Sequence, residues 1–220
     1  MPLEVESVVI PPWGLRGDLV VPDGAAAVVV FAHGTGSSRH SPRNRYVAGV
    51  LQQAGMATLL LDLLTAREDE EDSSTGEYRF DIELLAERLQ RTADWLRQHP
   101  VVGQLPMAYF GASTGAGAAL VAAARQPGRV AAIVSRGGRP DLAGPDLAQV
   151  HAPTLLIVGE DDTEVIRLNR AALAQLPGPK RLTLVPGATH LFEEPGTLEQ
   201  AAQLARDWLL AHHLGRQRAA

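Results

Sequence analysis

The sequence contains no cysteine. That absence excludes a disulfide framework, a thiolate nucleophile and a cysteine-based zinc site. An excess of basic charge is missing as well: 20 Lys and Arg stand against 25 Asp and Glu, for a net charge of −5 and a pI of about 5.8. A balance of that sign offers no electrostatic footprint to nucleic acid or to an anionic membrane, and neither is expected as a partner. No apolar run approaches the ~20 residues that span a bilayer. Met1-Pro2-Leu3-Glu4 has neither the basic start nor the apolar stretch of a secretory signal, so a soluble, cytoplasmic protein is expected. The chain also lacks a G-x-x-x-x-G-K loop and a G-x-G-x-x-G with its partner acid, and no His/Asp cluster has metal-ligand spacing. The expectation is chemistry with no organic cofactor and no metal.

What is present is an ordinary globular composition, 45% apolar and 20% charged over 220 residues. That suits one domain spanning residues 1–220. Val5 to Ile10 and Leu15 to Val21 read as a hairpin around Pro11-Pro12-Trp13-Gly14. Ala27 to Ala32, Ala57 to Leu61, Met107 to Phe110, Val130 to Val134 and Pro153 to Val158 are short β-branched or small apolar runs of the kind buried on both faces of a parallel sheet. Arg181 to Val185 reads as a last strand. Helical patterns lie between them: Arg43 to Ala54 closed by Gly55, Asp81 to about His99, Thr114 to about Gln126, Glu164 to Leu176 and Thr197 to His212. The acidic stretch Ala66 to Tyr78 reads as a solvated loop, and Gly215-Arg216-Gln217-Arg218 as a frayed tail. Alternating strand and helix predicts an α/β fold, a mostly parallel sheet with helices on both faces.

Four short motifs sit where strands end. Gly111-Ala112-Ser113-Thr114-Gly115 matches G-x-S-x-G between a buried strand and a helix. A serine there projects from a sharp turn, and the small neighbours let the helix cross close to the strand. Gly187-Ala188-Thr189-His190 follows the last strand. Serine is a weak nucleophile near neutral pH and needs a base; a histidine can take its proton and return it. His190 is the one histidine on a loop after a late strand, whereas His99 and His212-His213 sit at helix ends. Gly159-Glu160-Asp161-Asp162 offers a carboxylate to hold the imidazole. One of its two aspartates is free for that task, because Asp161 with Glu164 can form a helix capping box. His33-Gly34-Thr35-Gly36 supplies a glycine turn, so that the N–H groups of Thr35 and Thr114 are the natural donors to an oxyanion.

In order and spacing these motifs resemble the α/β-hydrolase superfamily. The compact chain is similar to dienelactone hydrolases and related small carboxylesterases, from Ala27 to His212. The resemblance implies an α/β-hydrolase fold with the chain order Ser, Asp, His, and it selects Asp162, with Val165 three positions on, as the acid. Ser113 stands where dienelactone hydrolases proper carry cysteine, so lactone specificity does not carry over. Many superfamily members insert a lid after the sixth strand; Val134 to Val150 leaves room for a short connection, which implies an open site with no lid domain. The implied activity is cleavage of small carboxylic esters through Ser113, His190 and Asp162. The same machinery would also serve a thioester, lactone, amide or organophosphate triester, and a non-catalytic binding protein on the same fold is the rival class. Two arginine-bearing segments follow strands at the same edge: Ser37 to Arg45, and Ser135 to Pro140 with Arg136 and Arg139. They form an anion-binding rim for substrate, or they bind the acidic loop Glu68 to Asp72, or they simply face water.

Overall fold

The computed structural model describes residues 3–213. The tail Gly215-Arg216-Gln217-Arg218 lies outside the described residues. β1 (Val5–Ile10) and β2 (Leu15–Val20) pair antiparallel around the proline turn, as their alternation predicts. The chain then runs through β3 (Ala27–Ala32), α1 (Pro42–Gln53), β4 (Met56–Leu61), α2 (Ala66–Thr75) and α3 (Ile82–Leu96). It continues through β5 (Met107–Ala112), α4 (Thr114–Arg125), β6 (Val130–Arg136), a 3-10 segment (Pro140–Gln149), β7 (Thr154–Gly159), α5 (Thr163–Gln175), β8 (Lys180–Val185) and α6 (Thr197–His213). The eight strands form one sheet in the order β1-β2-β4-β3-β5-β6-β7-β8, parallel from β4 to β8.

Side chains alternate across a strand, so a buried parallel strand must be apolar on both faces. β3 does this in consecutive residues. Val28, Val30 and Ala32 join a core with Leu85 and Leu89 of α3 and Leu120 of α4, while Ala27, Val29 and Phe31 face Val47 and Leu51 of α1 and Ala205 of α6. The parallel registers bring the ends of β3, β5, β6, β7 and β8 to one edge of the sheet. The loops holding all four motifs leave from that edge.

Two elements differ from expectation. β6 continues through Ser135 and Arg136, because both residues pair in register with β5 and β7. The acidic stretch is not a solvated loop; most of it is the helix α2. Thr65 and Glu68 close a capping box at its start, which satisfies otherwise orphaned N–H groups. The Asp72 side chain, 2% exposed, accepts from the N–H groups of Tyr78 (2.7 Å) and Arg79 (3.0 Å) and pairs with the Arg79 guanidinium. Charge runs are usually hydrated, but here two acids of the run point inward and meet arginines from later in the chain.

Glu68 is the second of these. Arg88 of α3 is 1% exposed and donates through Nη1 to Glu68 Oε2 (2.7 Å) and to the Leu63 carbonyl (2.8 Å). The bonds from Arg88 hold the Glu68 carboxyl down at about 2, against an ordinary 4.5. A carboxyl depressed in the fold contributes stability that is complete above the unfolded value and is lost as pH falls through the folded one. Urea unfolding should therefore show stability falling progressively from near pH 4.5 toward about 2. Glu68→Gln should flatten that dependence. It should also cost about 3 kcal/mol at pH 7, because it strands a buried guanidinium. A Glu68→Gln protein as stable as the parent at pH 7 would contradict this account of α2.

Candidate active site

Ser113 joins β5 to α4 with φ 49° and ψ −124°, a conformation normally left to glycine. Three hydrogen bonds over-determine it. Its N–H donates to the Arg136 carbonyl (3.4 Å), and its carbonyl accepts from the N–H groups of Ala116 (3.1 Å) and Arg139 (3.0 Å). Space is the second constraint. A Cβ on Gly115 would fall 2.3 Å from the Ala32 carbonyl oxygen and 2.4 Å from that of His33, so the first turn of α4 is pressed against the end of β3.

The His33 loop lies against the serine: a Cβ on Gly34 would meet Ser113 Cβ at 2.9 Å. His33 itself is a structural group. Its Nε2 accepts from the Leu63 N–H (3.0 Å), which requires the proton on Nδ1, and Nδ1–H donates to the Gly34 carbonyl (2.9 Å). Burial lowers its pKa, in keeping with a neutral ring that fixes the loop. The hydroxyls of Thr35 and Thr114 hydrogen-bond at 3.0 Å, so the two expected oxyanion donors are neighbours. Thr114 is the first helical residue, and its N–H therefore has no acceptor within the helix.

On the other side, His190 Nδ1 bonds Asp162 Oδ2 at 2.7 Å, with the histidine side chain 40% exposed and the carboxylate 15%. A carboxylate on Nδ1 fixes the tautomer that keeps the proton there and leaves Nε2 unprotonated. Asp162 occupies the N-cap position of α5, yet its side chain caps nothing. The expected Asp161–Glu164 capping box does not form: Asp161 is exposed, and Glu164 pairs with Arg167 (2.7 Å). The cap position falls on Asp162, whose side chain is committed to His190.

Ser113 and His190 line one pocket of about 210 Å³ together with Thr35, Asn44, Arg136 and Leu191. Arg139 does not line it. Its guanidinium is engaged by Asp141 at 2.9 and 2.7 Å. The first arginine segment does not reach the acidic helix either: Arg39 pairs with Asp18 and Asp62, Arg43 with Glu193 and Arg45 with Asp18. No residue of the 3-10 segment lines the pocket; that segment packs on α4 and α5. A larger hollow of about 550 Å³ beside β1 contains neither the serine nor a histidine. Asn44 and Glu194 had no signal of their own in the sequence. Glu194 accepts from the N–H (3.1 Å) and hydroxyl (2.6 Å) of Thr189 and so anchors the loop that presents His190; those bonds also lower its pKa. Among the described residues no group of three or more His, Asp or Glu is placed to hold a metal ion, and no helix is long and apolar enough to cross a membrane.

Residues 27–175 match the family described as alpha/beta hydrolase fold. The chain belongs to that family. Within this α/β-hydrolase family it is dienelactone hydrolase-like. It is 56% identical to the crystal structure of a dienelactone hydrolase from Anabaena variabilis, with a TM-score of 0.94, over 97% of this chain and 100% of that one. Est1E from Butyrivibrio proteoclasticus shares the fold at 15% identity, with a TM-score of 0.75 over 94% of this chain and 98% of that one. A Mycobacterium tuberculosis protein carrying the provisional name phosphoribosyl transferase is 59% identical over 212 residues, 96% of this chain and 47% of that protein. The chain thus spans about half the length of the curated relatives it matches.

The strained turn of this hydrolase fold has a measurable cost. Glycine adopts the Ser113 conformation freely, and alanine does not. Neither variant has a hydroxyl, so the comparison isolates the backbone. Ser113→Gly should be more stable than Ser113→Ala by about 1 kcal/mol in urea unfolding, with equal m-values. Equal midpoints would mean the turn is relaxed.

Proposed function

We propose that this chain is a serine hydrolase that cleaves carboxylic esters of small substrates through an acyl-enzyme. The observation that carries the reading is the strained Ser113 in one pocket with a histidine whose Nδ1 is held by a carboxylate at 2.7 Å. Ser113 Oγ attacks the carbonyl carbon as His190 Nε2 takes its proton. Asp162 fixes the tautomer that leaves Nε2 basic and stabilises the imidazolium that forms. The N–H groups of Thr35 and Thr114 receive the oxyanion. His190 then returns the proton to the leaving alkoxide, the C–O bond breaks, and the acyl group stays on Ser113. Water, deprotonated by His190, attacks the acyl carbonyl; the acid departs and Ser113 regains its proton.

Thioesters, lactones, amides and organophosphate triesters pass through the same kind of intermediate, and the pocket side chains decide among them. The small, open pocket favours short acyl groups. The transferase name of the mycobacterial relative belongs to a protein about twice the matched length.

Ser113→Ala should lose on the order of 10⁴-fold or more in hydrolysis of p-nitrophenyl acetate and should no longer be labelled by a fluorophosphonate probe. The parent rate should survive EDTA. Near-normal turnover by clean Ser113→Ala protein would end the serine mechanism, and an unlabelled but folded parent protein would favour a binding role. Asp162→Asn should cut kcat by several orders of magnitude with little change in stability, while Asp161→Asn should keep most of its rate. A loss confined to Asp161→Asn would exchange the two roles.

A further inference from the structure

Among the described residues two arginines are almost wholly buried, and they differ in one respect. Arg88, 1% exposed, has the Glu68 carboxylate. Arg136, 7% exposed, has none among the described residues. Its Nη2 donates to the neutral Asn44 amide oxygen at 3.3 Å, and its Nη1 is buried with no partner. The Phe110 and Phe192 rings lie 5.9 Å from its guanidinium carbon. Two such contacts offset a few kcal/mol at most, against a penalty of several kcal/mol for an uncompensated buried ion. A like charge makes matters worse: burial first, then Arg43, lowers the pKa of Arg136 to about 10, which leaves it charged at neutral pH. Arg43 lines the same pocket, and its own acid, Glu193, is a largely exposed residue at 3.2 Å.

The position of this charge suggests what it serves. Arg136 is the register partner of Ala112, one residue before the nucleophile, and its carbonyl holds the Ser113 N–H. Asn44 belongs to the first turn of α1, where the helix dipole favours an anion; Pro42 has no N–H and the Asn44 N–H donates to Ser41 Oγ (3.3 Å), which leaves the Arg43 N–H. A buried cation without a counter-charge, beside a helix start and opening on the pocket of Ser113, is a half-built ion pair.

We propose that Arg136, with Asn44 and the first turn of α1, forms an anion subsite beside Ser113, so that the preferred substrates are esters carrying a carboxylate or phosphate group. This rests on the ester-hydrolysis reading above and adds a substrate class to it. Arg139, at the other end of the same motif, has its acid in Asp141 and takes no part. The bound anion supplies the counter-charge that the guanidinium lacks, and a charge-assisted bond is about twice as strong as a neutral one.

The test compares three p-nitrophenyl esters of similar length: the neutral butyrate, the anionic succinate monoester and the 3-phosphonopropionate. The parent should favour one or both charged esters over the neutral one. Arg136→Met should lower kcat/KM for the charged ester about tenfold or more beyond its effect on the butyrate, mainly through KM, and Arg136→Lys should recover part of the loss. The charged ester that loses more identifies the group as carboxylate or phosphate. Equal losses on neutral and charged esters would overturn the subsite and leave Arg136 as packing for Phe110 and Phe192. Calorimetric titration of succinate and of inorganic phosphate separates this idea from the hydrolase reading. Binding to the parent that Arg136→Met loses supports the subsite even if no ester is cleaved. Absence of binding to the parent, together with no preference for charged esters, overturns it. Should Arg136→Met fail to fold, Asn44→Ala carries the same comparison.

Discussion

The first turn of α4 lies so close to the ends of β3 and β5 that only hydrogen fits at Gly115, where a Cβ would stand 2.3 Å from the Ala32 carbonyl oxygen. That approach forces the chain through a sharp turn at Ser113 and gives the serine its positive φ. It also brings the His33 loop beside the serine and sets the Thr35 and Thr114 hydroxyls 3.0 Å apart. Strain at one residue is tolerated because Arg136 of β6 holds its N–H, while Ala116 of the helix and Arg139, just before the 3-10 segment, hold its carbonyl. A large apolar core then supports the turn, since α4 is buried along most of its length.

The remaining groups reach the site because a parallel sheet ends all its strands on one side. Asp162 leaves β7, and His190 leaves β8, its register neighbour. Their 2.7 Å contact spans 28 residues of sequence with hardly any excursion from the sheet edge. The usual duty of a residue at a helix N-cap is to satisfy N–H groups of the first turn. Asp162 abandons that duty in α5, a local loss that frees its carboxylate for the imidazole. Glu194 supports the same loop from the other end through Thr189. The positioning of His190 therefore depends on two acids, one on the ring and one on the backbone that carries it.

Charge inside this protein is handled in two opposite ways. Glu68–Arg88 and Asp72–Arg79 are closed pairs that fasten α2 and the start of α3 to the body. Arg136 is open. A closed buried pair contributes little beyond what apolar residues of the same volume would contribute, but an open buried charge is a standing cost. The open charge is also the one that borders the serine.

The strand runs, the glycine turns and the placing of Ser113, His190 and the Asp161-Asp162 pair on loops at strand ends were legible in the sequence because each is a local pattern. A buried parallel strand must be apolar throughout, and a nucleophile turn must be flanked by small residues. Tertiary contact decided the rest. Nothing local separates Asp161 from Asp162, since both follow β7 in the same turn; the bond to His190 does. Nothing local separates Arg136 from Arg139 either. Pairing with β5 and β7 carries β6 on to Arg136 and buries it beside Asn44, while Arg139 finds Asp141 two residues away. The acidic run read as a solvated loop because its partners, Arg79 and Arg88, lie beyond it in sequence and meet it only when α3 packs down. Sequence determined where strands end and which side chains stand there. Folding decided which charges are neutralised, because that depends on which side chains, distant along the chain, arrive at the same place.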